Sequence, residues 1–170
     1  MRRVVILGNS GSGKSRLGRR LSCALDIPVV HLDPLYYGPG WTHGDPLVFR
    51  QRVSAALAGD AWIVDGSFLP LVGDITLPRA ELIVCLEQPS WLAMTRALRR
   101  CLNPADAGRA DLPAGCRDTL SGEMLADIWS YDRRTRPEIE RWLAQLAPPA
   151  NLRRLNGDRA METFLASLTP

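Results

Sequence analysis

A glycine-rich octapeptide near the start of the chain constrains the fold more than any other feature. Its residues are Gly8, Asn9, Ser10, Gly11, Ser12, Gly13, Lys14 and Ser15. The apolar run from Arg3 to Leu7 predicts a strand before it, and leucines at helical spacing predict a helix from Lys14 to Leu25 after it. A Gly-x-x-x-x-Gly-Lys-Ser sequence between a strand and a helix is a specific signature of a phosphate-binding loop. We therefore expect all eight residues to bind the phosphates of a nucleotide.

Each residue type in this loop has a chemical role in binding phosphate. Glycines let successive backbone N–H groups point inward around phosphate oxygens, and the helix that follows adds the positive end of its dipole. Lys14 is expected to bridge the terminal phosphates, and the Ser15 hydroxyl is expected to ligate Mg²⁺. The cofactors expected are therefore ATP or GTP with Mg²⁺.

The composition singles out Lys14. The chain has 21 Lys and Arg residues, and Lys14 is the only lysine among them. A compact ammonium group fits between phosphate oxygens, where the planar guanidinium of arginine does not. Lys14 is therefore expected to be chemically required for catalysis and not interchangeable with the other positive charges.

The remaining composition is that of one ordinary globular domain, 1–170, with 46% hydrophobic and 23% charged residues. A net charge of +3 with dispersed arginines suits phosphate ligands and gives only weak support for nucleic-acid binding. No stretch approaches the ~20 apolar residues of a membrane span, and Met1 to Arg3 lead into a strand and not a signal peptide. A cytoplasmic protein without membrane association is expected. Without Cys-x-x-Cys pairs, Cys23 and Cys85 are interpreted as buried thiols.

Four further apolar runs predict strands that alternate with helices. The strands are expected at 28–32, 62–64, 82–86 and 152–155, and the helices from about Pro46 to Ala58, from Ser90, from about Leu120 to Leu146 with a break near Pro137, and from an Asp158 cap to Leu168. Such alternation implies a parallel α/β sheet covered by helices on both faces, with the site at the carboxyl ends of the strands. The Gly-, Pro- and charge-rich segment at about 103–118 is interpreted as a lid.

Two acidic residues directly follow predicted strands. Asp33 and Asp65 should therefore lie at the same edge of the sheet as the phosphate loop. Asp65 suits the metal shell together with Ser15, because Mg²⁺ prefers a few carboxylates plus phosphate oxygens. Asp33 suits the acceptor, whose hydroxyl needs a carboxylate to orient it or take its proton. A turn or capping role is the alternative for each of them.

Arginines surround the predicted lid. Arg96 and Arg100 are four residues apart on one helix face, and Arg109 lies in the segment that follows. Phosphoryl transfer requires such cations, because charge develops on the moving group. We expect these three arginines to take part in catalysis, and a solvated basic face is the alternative.

Aromatic residues follow Asp33 in a loop interrupted by Gly and Pro. Tyr36, Tyr37 and Trp41 could stack on a base or line a small-molecule pocket, with core packing an equal alternative for Trp41. Three further rings at helical positions are expected to be packing residues: Trp129, Tyr131 and Trp142. Neither His31 nor His43 shows metal-ligand spacing, and neither is assigned a role.

Several segments occur together in one known family: the phosphate loop, His31-Leu32-Asp33, Trp41, Trp62-Ile63-Val64-Asp65-Gly66, Arg79 and Leu112-Pro113-Ala114-Gly115-Cys116. Through them the chain resembles the bacterial "DNA topology modulation protein" family, which is similar to the adenylate-kinase-like P-loop kinases. The resemblance implies a P-loop NTPase fold, with a five-stranded parallel sheet in the order 2-3-1-4-5 and an arginine-bearing lid. It also implies that Asn156 and Gly157 lie beside the nucleotide base.

By the same resemblance, Asp65 matches the strand-three acid of nucleoside monophosphate kinases, and Arg96 and Arg100 match arginines that flank their lid. Three positions depart from the pattern. Arg16 replaces a frequent second hydroxyl after Ser15 and is expected beside the nucleotide, Glu87 stands where strand four often ends in Asp, and Asp118 replaces a family Glu. The second departure leaves Asp65 as the main metal candidate.

Together these features predict an ATP-dependent phosphotransferase that acts on a nucleotide or another small-molecule acceptor. The alternative is a nucleotide-dependent regulatory protein that associates with DNA and has no kinase turnover. That alternative requires a contiguous basic face built from residues such as Arg133, Arg134, Arg153 and Arg154.

Overall fold

The computed structural model describes residues 1–102, 111–116 and 121–168. The strands are β1 Arg3–Gly8, β2 Val29–His31, β3 Tyr37–Gly38, β4 Thr42–His43, β5 Trp62–Asp65, β6 Leu82–Glu87 and β7 Leu152–Asn156. The helices are α1 Lys14–Leu25, α2 Asp33–Tyr36, α3 Pro46–Ala56, α4 Leu69–Thr76, α5 Ser90–Leu102, α6 Gly122–Ser130, α7 Thr135–Leu146 and α8 Gly157–Ala166. Short 3₁₀ helices lie at Pro39–Trp41, Leu77–Arg79 and Pro149–Asn151. Among the described helices, none is long and apolar enough to cross a membrane.

The central sheet has five parallel strands in the order β2-β5-β1-β6-β7, and β3 pairs with β4 in a separate two-stranded hairpin. Counted along the chain, the five parallel strands have the predicted order 2-3-1-4-5. Strand β1 lies at the centre, with Val5 beside Val64 on one side and Ile83 on the other. The loop after β1 therefore lies in the middle of the edge formed by the carboxyl ends of the strands. At this point the later strands are added on opposite sides of β1, which makes it the topological switch point of the sheet.

Helices cover both faces of the sheet, because alternate residues of a strand point to opposite sides. Val5 and Leu7 belong to a core that α3, α4 and α7 enclose, whereas Val4 and Ile6 belong to a second core that α1 and α8 enclose. Residues buried on both faces explain why these strands are continuous apolar runs. The predicted α/β architecture is confirmed.

Two predicted helix boundaries are wrong. The stretch that we expected to be one helix with a break near Pro137 is two helices, α6 and α7, and the break lies at 131–134. Pro137 is in the first turn of α7, where its missing N–H removes no intrahelical hydrogen bond. The last helix begins at Gly157, so Asp158 is a residue of its first turn and not its cap.

Some burial predictions also need correction. Cys85 is buried as expected, but Cys23 is exposed on α1. Tyr131 is buried and Trp142 packs at the edge of the first core, whereas Trp129 is 64% exposed and is not a packing residue. Most of the predicted lid, with Arg109 and Asp118, lies outside the described residues, and its described part, 111–116, consists of turns and irregular backbone.

Candidate functional site

The glycine-rich octapeptide forms a tight loop between β1 and α1. Gly11 has a φ of +80°, a backbone conformation that residues with side chains rarely adopt. A Cβ atom at Gly11 would lie 2.3 Å from the backbone oxygen of Ala93 in α5. Position 11 therefore requires glycine both for its backbone angle and because the loop packs directly against α5.

The end of this loop is open toward solvent at the start of α1. Gly13 caps the helix with a φ of +99° and without a side-chain hydrogen bond, and a Cβ atom placed there would meet nothing within 4 Å. The first backbone N–H groups of a helix have no intrahelical acceptor. Free N–H groups, a positive helix dipole and open space in front of them are the properties of an anion site, and they fit a nucleotide phosphate.

Lys14 bends back over the loop. Its Nζ atom donates hydrogen bonds to the backbone oxygens of Gly8 at 2.9 Å and Asn9 at 3.0 Å. Burial lowers the pKa of Lys14 and the Arg100 charge adds to this effect, while the carboxylates of Asp65, Asp33 and Asp111 oppose it. The ammonium group thus lies against the loop, within electrostatic reach of three acids.

Asp65 ends β5 next to the loop, and its carboxylate is 6% exposed. Its Oδ2 atom lies 3.0 Å from Nδ1 of His31, the residue that pairs with it in register on β2. Burial opposes ionisation, but hydrogen bonds from His31 and Ser15 and the charge of Lys14 outweigh it and hold the pKa of Asp65 below its usual range. The structure therefore brings together Ser15 and Asp65, the two predicted metal ligands.

This pair fits Mg²⁺ better than a transition metal. Within the described part of the chain there is no group of three or more His, Cys, Asp or Glu residues that could hold a metal alone. Mg²⁺ typically keeps several waters and binds through one or two carboxylates plus substrate phosphates. One buried carboxylate and one hydroxyl beside a phosphate loop match that requirement.

Asp33 starts α2 at the same edge of the sheet. Burial raises the pKa of Asp33 to about 6, with Lys14 opposing the rise and Asp65 and Asp111 adding to it. A carboxylate with a pKa near 6 is only modestly acidic and can accept a proton near neutral pH. These properties suit the acceptor-side role predicted for Asp33.

Two residues of this cluster were not predicted. His31 had been given no role, although its place opposite Asp65 on a neighbouring parallel strand follows once the register is known. Asp111 is 6% exposed and acts electrostatically on both Lys14 and Asp33. It belongs to the irregular segment after α5, and no local sequence pattern marks it.

The other predicted nucleotide residues occupy different positions around the loop. Arg100 is within electrostatic reach of Lys14. The guanidinium of Arg96 lies 2.7 Å from Oδ2 of Asp158, so it ties α5 to α8. The exposed Arg16 pairs with Glu162 of α8 at 2.9 Å.

Asn156 and Gly157, predicted beside the base, join β7 to α8 at the same sheet edge as the loop. Asn156 pairs in register with Glu87 at the end of β6. Gly157 has a φ of +78°, and a Cβ there would meet no atom within 4 Å. Arg109 lies outside the described residues.

The aromatic residues after Asp33 form one cluster, which we call the aromatic cluster. Its members are Tyr36, Tyr37, Trp41, His43, Phe49 and Phe68. Ring centroids of neighbouring members are 4.9–6.1 Å apart in edge-to-face or tilted arrangements. The backbone N–H of Trp41 also donates to Sγ of Cys116 at 3.3 Å, which fixes 111–116 against this loop.

The basic face required by the DNA-associated alternative is interrupted. Arg133, Arg134 and Arg153 are exposed. Arg154, however, forms ion pairs with Glu87 at 3.1 Å and Glu140 at 2.7 Å. The hydrogen bonds that Arg154 donates to both glutamates raise its pKa despite partial burial, and its charge is neutralised locally.

The sheet order and the loop define the class of fold as that of the P-loop kinases. Among solved structures, the chain is similar to the crystal structure of shikimate kinase from Bacteroides thetaiotaomicron, with a TM-score of 0.57. The match covers 98% of this chain and 96% of that one at 16% sequence identity, so it shows the fold. Neither a family model nor a curated protein matches the sequence. Membership of the topology modulation family therefore stays a prediction.

Proposed function

We propose that this chain is a Mg²⁺-dependent phosphotransferase that moves the terminal phosphoryl group of ATP to a small-molecule acceptor. The observation that carries the proposal is the arrangement of Lys14, Asp65 and Asp33 at one edge of the sheet. These three side chains lie within electrostatic reach of one another, and in the proposal they serve as the phosphate-binding cation, the metal-binding acid and the acid that accepts a proton. A protein that only binds nucleotide has no need of the third group.

Each residue has a defined task in this proposal. The backbone N–H groups of the loop and Lys14 bind the outer phosphates, and the Ser15 hydroxyl and Asp65 would hold Mg²⁺. The metal ion, when bound, neutralises phosphate charge and orients the transferred group. The hydrogen bond from His31 would hold the Asp65 carboxylate in a fixed orientation for metal binding.

The acceptor side is assigned to Asp33. As the acceptor hydroxyl attacks, its proton passes to the Asp33 carboxylate. Arg100 is placed to stabilise the charge that develops on the phosphoryl group, because it acts on the same region as Lys14. Arg96 is assigned the same role, which requires it to leave Asp158 when nucleotide binds; Arg109 is proposed to act from the lid.

The direct test is product analysis. Mg-ATP is incubated with nucleoside monophosphates and with small hydroxylated compounds, and phosphorylated products are detected by ³¹P NMR. We expect a phosphorylated acceptor with wild-type protein and none with Lys14→Ala. GTP replaces ATP in a parallel series, because the sequence predicts either ATP or GTP as the phosphate donor. If the whole panel gives only slow ATP hydrolysis, the phosphotransferase assignment is wrong.

A further inference from the structure

The outer face of α1 carries a row of arginines beside an open surface cavity, which we call the α1 cavity. The cavity has a volume of about 510 Å³, and its lining residues are Arg16, Arg19, Arg20, Cys23 and Ala24. These residues are exposed, and they share one helix face because they follow each other at intervals of three or four positions. The short side chains of Cys23 and Ala24 leave space beside the long arginine side chains. The α1 cavity is therefore a concave surface with positive charge along its wall.

The positive charge of this wall exceeds the negative charge that is paired with it. Glu162 of α8 accepts hydrogen bonds from Arg16 at 2.9 Å and from Arg20 at 2.6 Å, so one carboxylate pairs with two guanidinium groups. Arg19 forms neither an ion pair nor a hydrogen bond with any residue that the structure describes. Asp26, the residue that caps the carboxyl end of α1, does not line the cavity. Three arginines against one glutamate leave an excess of positive charge that an anion can neutralise.

The two ion pairs of Glu162 are exposed and therefore easily exchanged. The side chains of Arg16 and Arg20 are 54% and 43% exposed, and that of Glu162 is 43% exposed. Exposed ion pairs contribute little to stability, because water screens them and both side chains lose conformational freedom. The planar fork of a guanidinium group matches the oxygens of a phosphate group as well as those of a carboxylate. A ligand with several negative charges can therefore take the place of Glu162 at small cost.

The size of the α1 cavity favours a small molecule over a nucleic acid. Residues 16–24 span eight steps of the helix, which is about 12 Å. Proteins that follow a nucleic-acid backbone commonly contact about 6–10 phosphates, which need a longer basic surface than this. A volume of about 510 Å³ lies within the range of roughly 300–1,000 Å³ that small-molecule sites occupy.

From these observations we propose that the α1 cavity is a second anion site, separate from the phosphate loop, and that it binds a small molecule with two or more phosphate groups. Arg16, Arg19 and Arg20 donate hydrogen bonds to the phosphate oxygens, and Glu162 leaves Arg16 and Arg20 when the ligand binds. Arg16 directly follows Ser15, the last residue of the phosphate loop, so the two sites are neighbours along α1. The inference does not depend on phosphate transfer.

The proposal is tested by counting the binding sites for inorganic triphosphate. Calorimetric titration at pH 7.5, at low ionic strength and without Mg²⁺, should show two sites in each wild-type chain. Lys14→Ala should weaken the phosphate-loop site and leave the second site unchanged. Arg19→Ala should weaken the second site about three- to tenfold and leave the phosphate-loop site unchanged.

Two further variants locate the second site. Arg153→Ala removes an exposed arginine of β7 that does not line the α1 cavity, and it should change neither affinity. Glu162→Gln should strengthen binding at the second site about two- to fivefold, because Arg16 and Arg20 no longer pair with a competing carboxylate. An unchanged or lower affinity in Glu162→Gln would contradict the displacement of Glu162.

The kind of ligand is distinguished in the Lys14→Ala protein by comparing ADP with inorganic diphosphate. Tighter binding of ADP would indicate a nucleotide ligand, and equal or tighter binding of diphosphate would indicate that the phosphate chain alone is recognised. Both results support the second site. A single-stranded oligonucleotide that binds more tightly than triphosphate, and that loses affinity in Arg19→Ala, would assign the surface to nucleic acid and overturn the small-molecule ligand.

Two other results would overturn the second site itself. If wild-type protein binds one triphosphate and Lys14→Ala binds none, the arginines of α1 have no anion site of their own. If Arg19→Ala and Arg153→Ala weaken the second site equally, the binding is a general attraction of anions to a basic protein. None of these results depends on whether the protein transfers phosphate, so failure of this inference leaves the proposed function untouched.

Discussion

Nδ1 of His31 lies 3.0 Å from Oδ2 of Asp65, and the two residues are paired in register on the neighbouring parallel strands β2 and β5. The hydrogen bond joins a partly exposed ring to a carboxylate that is 6% exposed. A buried carboxylate that is expected to bind a metal needs such a partner to set its orientation. We therefore propose that His31 is a positioning residue for the proposed Mg²⁺ site.

Replacement of this histidine should weaken metal binding. In His31→Phe the ring is kept and the hydrogen bond is lost, so we expect the Mg²⁺ concentration for half-maximal ATP binding to rise about 10- to 100-fold. Calorimetric titration of ATP at a series of Mg²⁺ concentrations measures the change. His43→Phe is the matched control, because His43 belongs to the aromatic cluster and contacts Tyr36 and Tyr37 instead of Asp65. Equal Mg²⁺ dependence in the two variants would contradict the positioning role.

Loss of the Lys14 ammonium group should abolish the nucleotide binding that leads to phosphate transfer. Each charge-assisted hydrogen bond to a phosphate contributes about 1.5–3 kcal/mol, so Lys14→Ala should lower Mg-ATP affinity at least tenfold. Lys14→Arg should be nearly as damaging, because the guanidinium cannot occupy the space that Nζ occupies beside Gly8 and Asn9. Arg19→Ala, at an exposed position of the same helix, is the control. Wild-type affinity in Lys14→Ala would refute the central assignment.

The phosphate loop and the parallel sheet could be predicted because both depend on local pattern, whereas the strand order followed from the resemblance to the P-loop kinases. Short apolar runs separated by helices specify a parallel sheet, and the octapeptide predicts a nucleotide site at its carboxyl edge. The break between α6 and α7 was misplaced because Pro137 was interpreted as a helix breaker. The structure puts it in the first turn of α7, where proline is well tolerated.

Several contacts within the site could not be predicted from the sequence. The His31 interaction depends on strand register, and the placement of Asp111 depends on how 111–116 folds against the loop at Gly38 and Trp41. The pairing of Arg96 with Asp158 depends on the approach of α5 to α8. These are contacts between segments far apart in sequence, and periodicity along one segment carries no information about them.

Two glycines of the loop should respond differently to alanine. Both have positive φ, which costs a residue with a side chain about 1–2 kcal/mol. Only Gly11 also faces a backbone atom, the oxygen of Ala93, at 2.3 Å from the added Cβ. Urea unfolding of the nucleotide-free protein should therefore show a larger loss of stability for Gly11→Ala than for Gly13→Ala. Equal losses would mean that the loop does not pack on α5 as described.

Replacement of Asp33 should affect turnover more than nucleotide binding. Asp33→Asn removes the proton acceptor, so we expect kcat to fall about 10²- to 10⁴-fold with Mg-ATP affinity close to normal. Because the pKa of Asp33 is about 6, the wild-type rate should rise as the pH increases through that value. The residual rate of the variant should lack this rise. A variant that loses metal-dependent ATP binding instead would show that Asp33 and Asp65 have exchanged roles.

The two acids should also have opposite effects on the stability of the nucleotide-free protein. The pKa of Asp33 rises from 3.8 to about 6 on folding, so the folded state binds the proton more tightly than the unfolded state. Ionisation of Asp33 therefore costs stability, and the cost develops as the pH rises from about 4 to 6 and persists above it. At pH 7.5 Asp33→Asn should be more stable than wild type, by about 1–3 kcal/mol, and the gain should vanish near pH 4.

Ionisation of Asp65 should affect the stability of the protein in the opposite direction, because the pKa of Asp65 is lowered on folding. Its ionised form stabilises the protein above the unfolded pKa, and that contribution is lost as the pH falls through the folded value. Asp65→Asn should therefore be less stable than wild type at pH 7.5. The difference in stability should disappear as the pH falls below the unfolded pKa of 3.8. Urea unfolding of the three proteins from pH 7.5 down to about pH 2 measures both effects, because the contribution of Asp65 is lost only below the unfolded pKa of 3.8. If both variants lost stability at pH 7.5, Asp33 would be a structural acid whose carboxylate is already satisfied, and its assignment to the acceptor would fail.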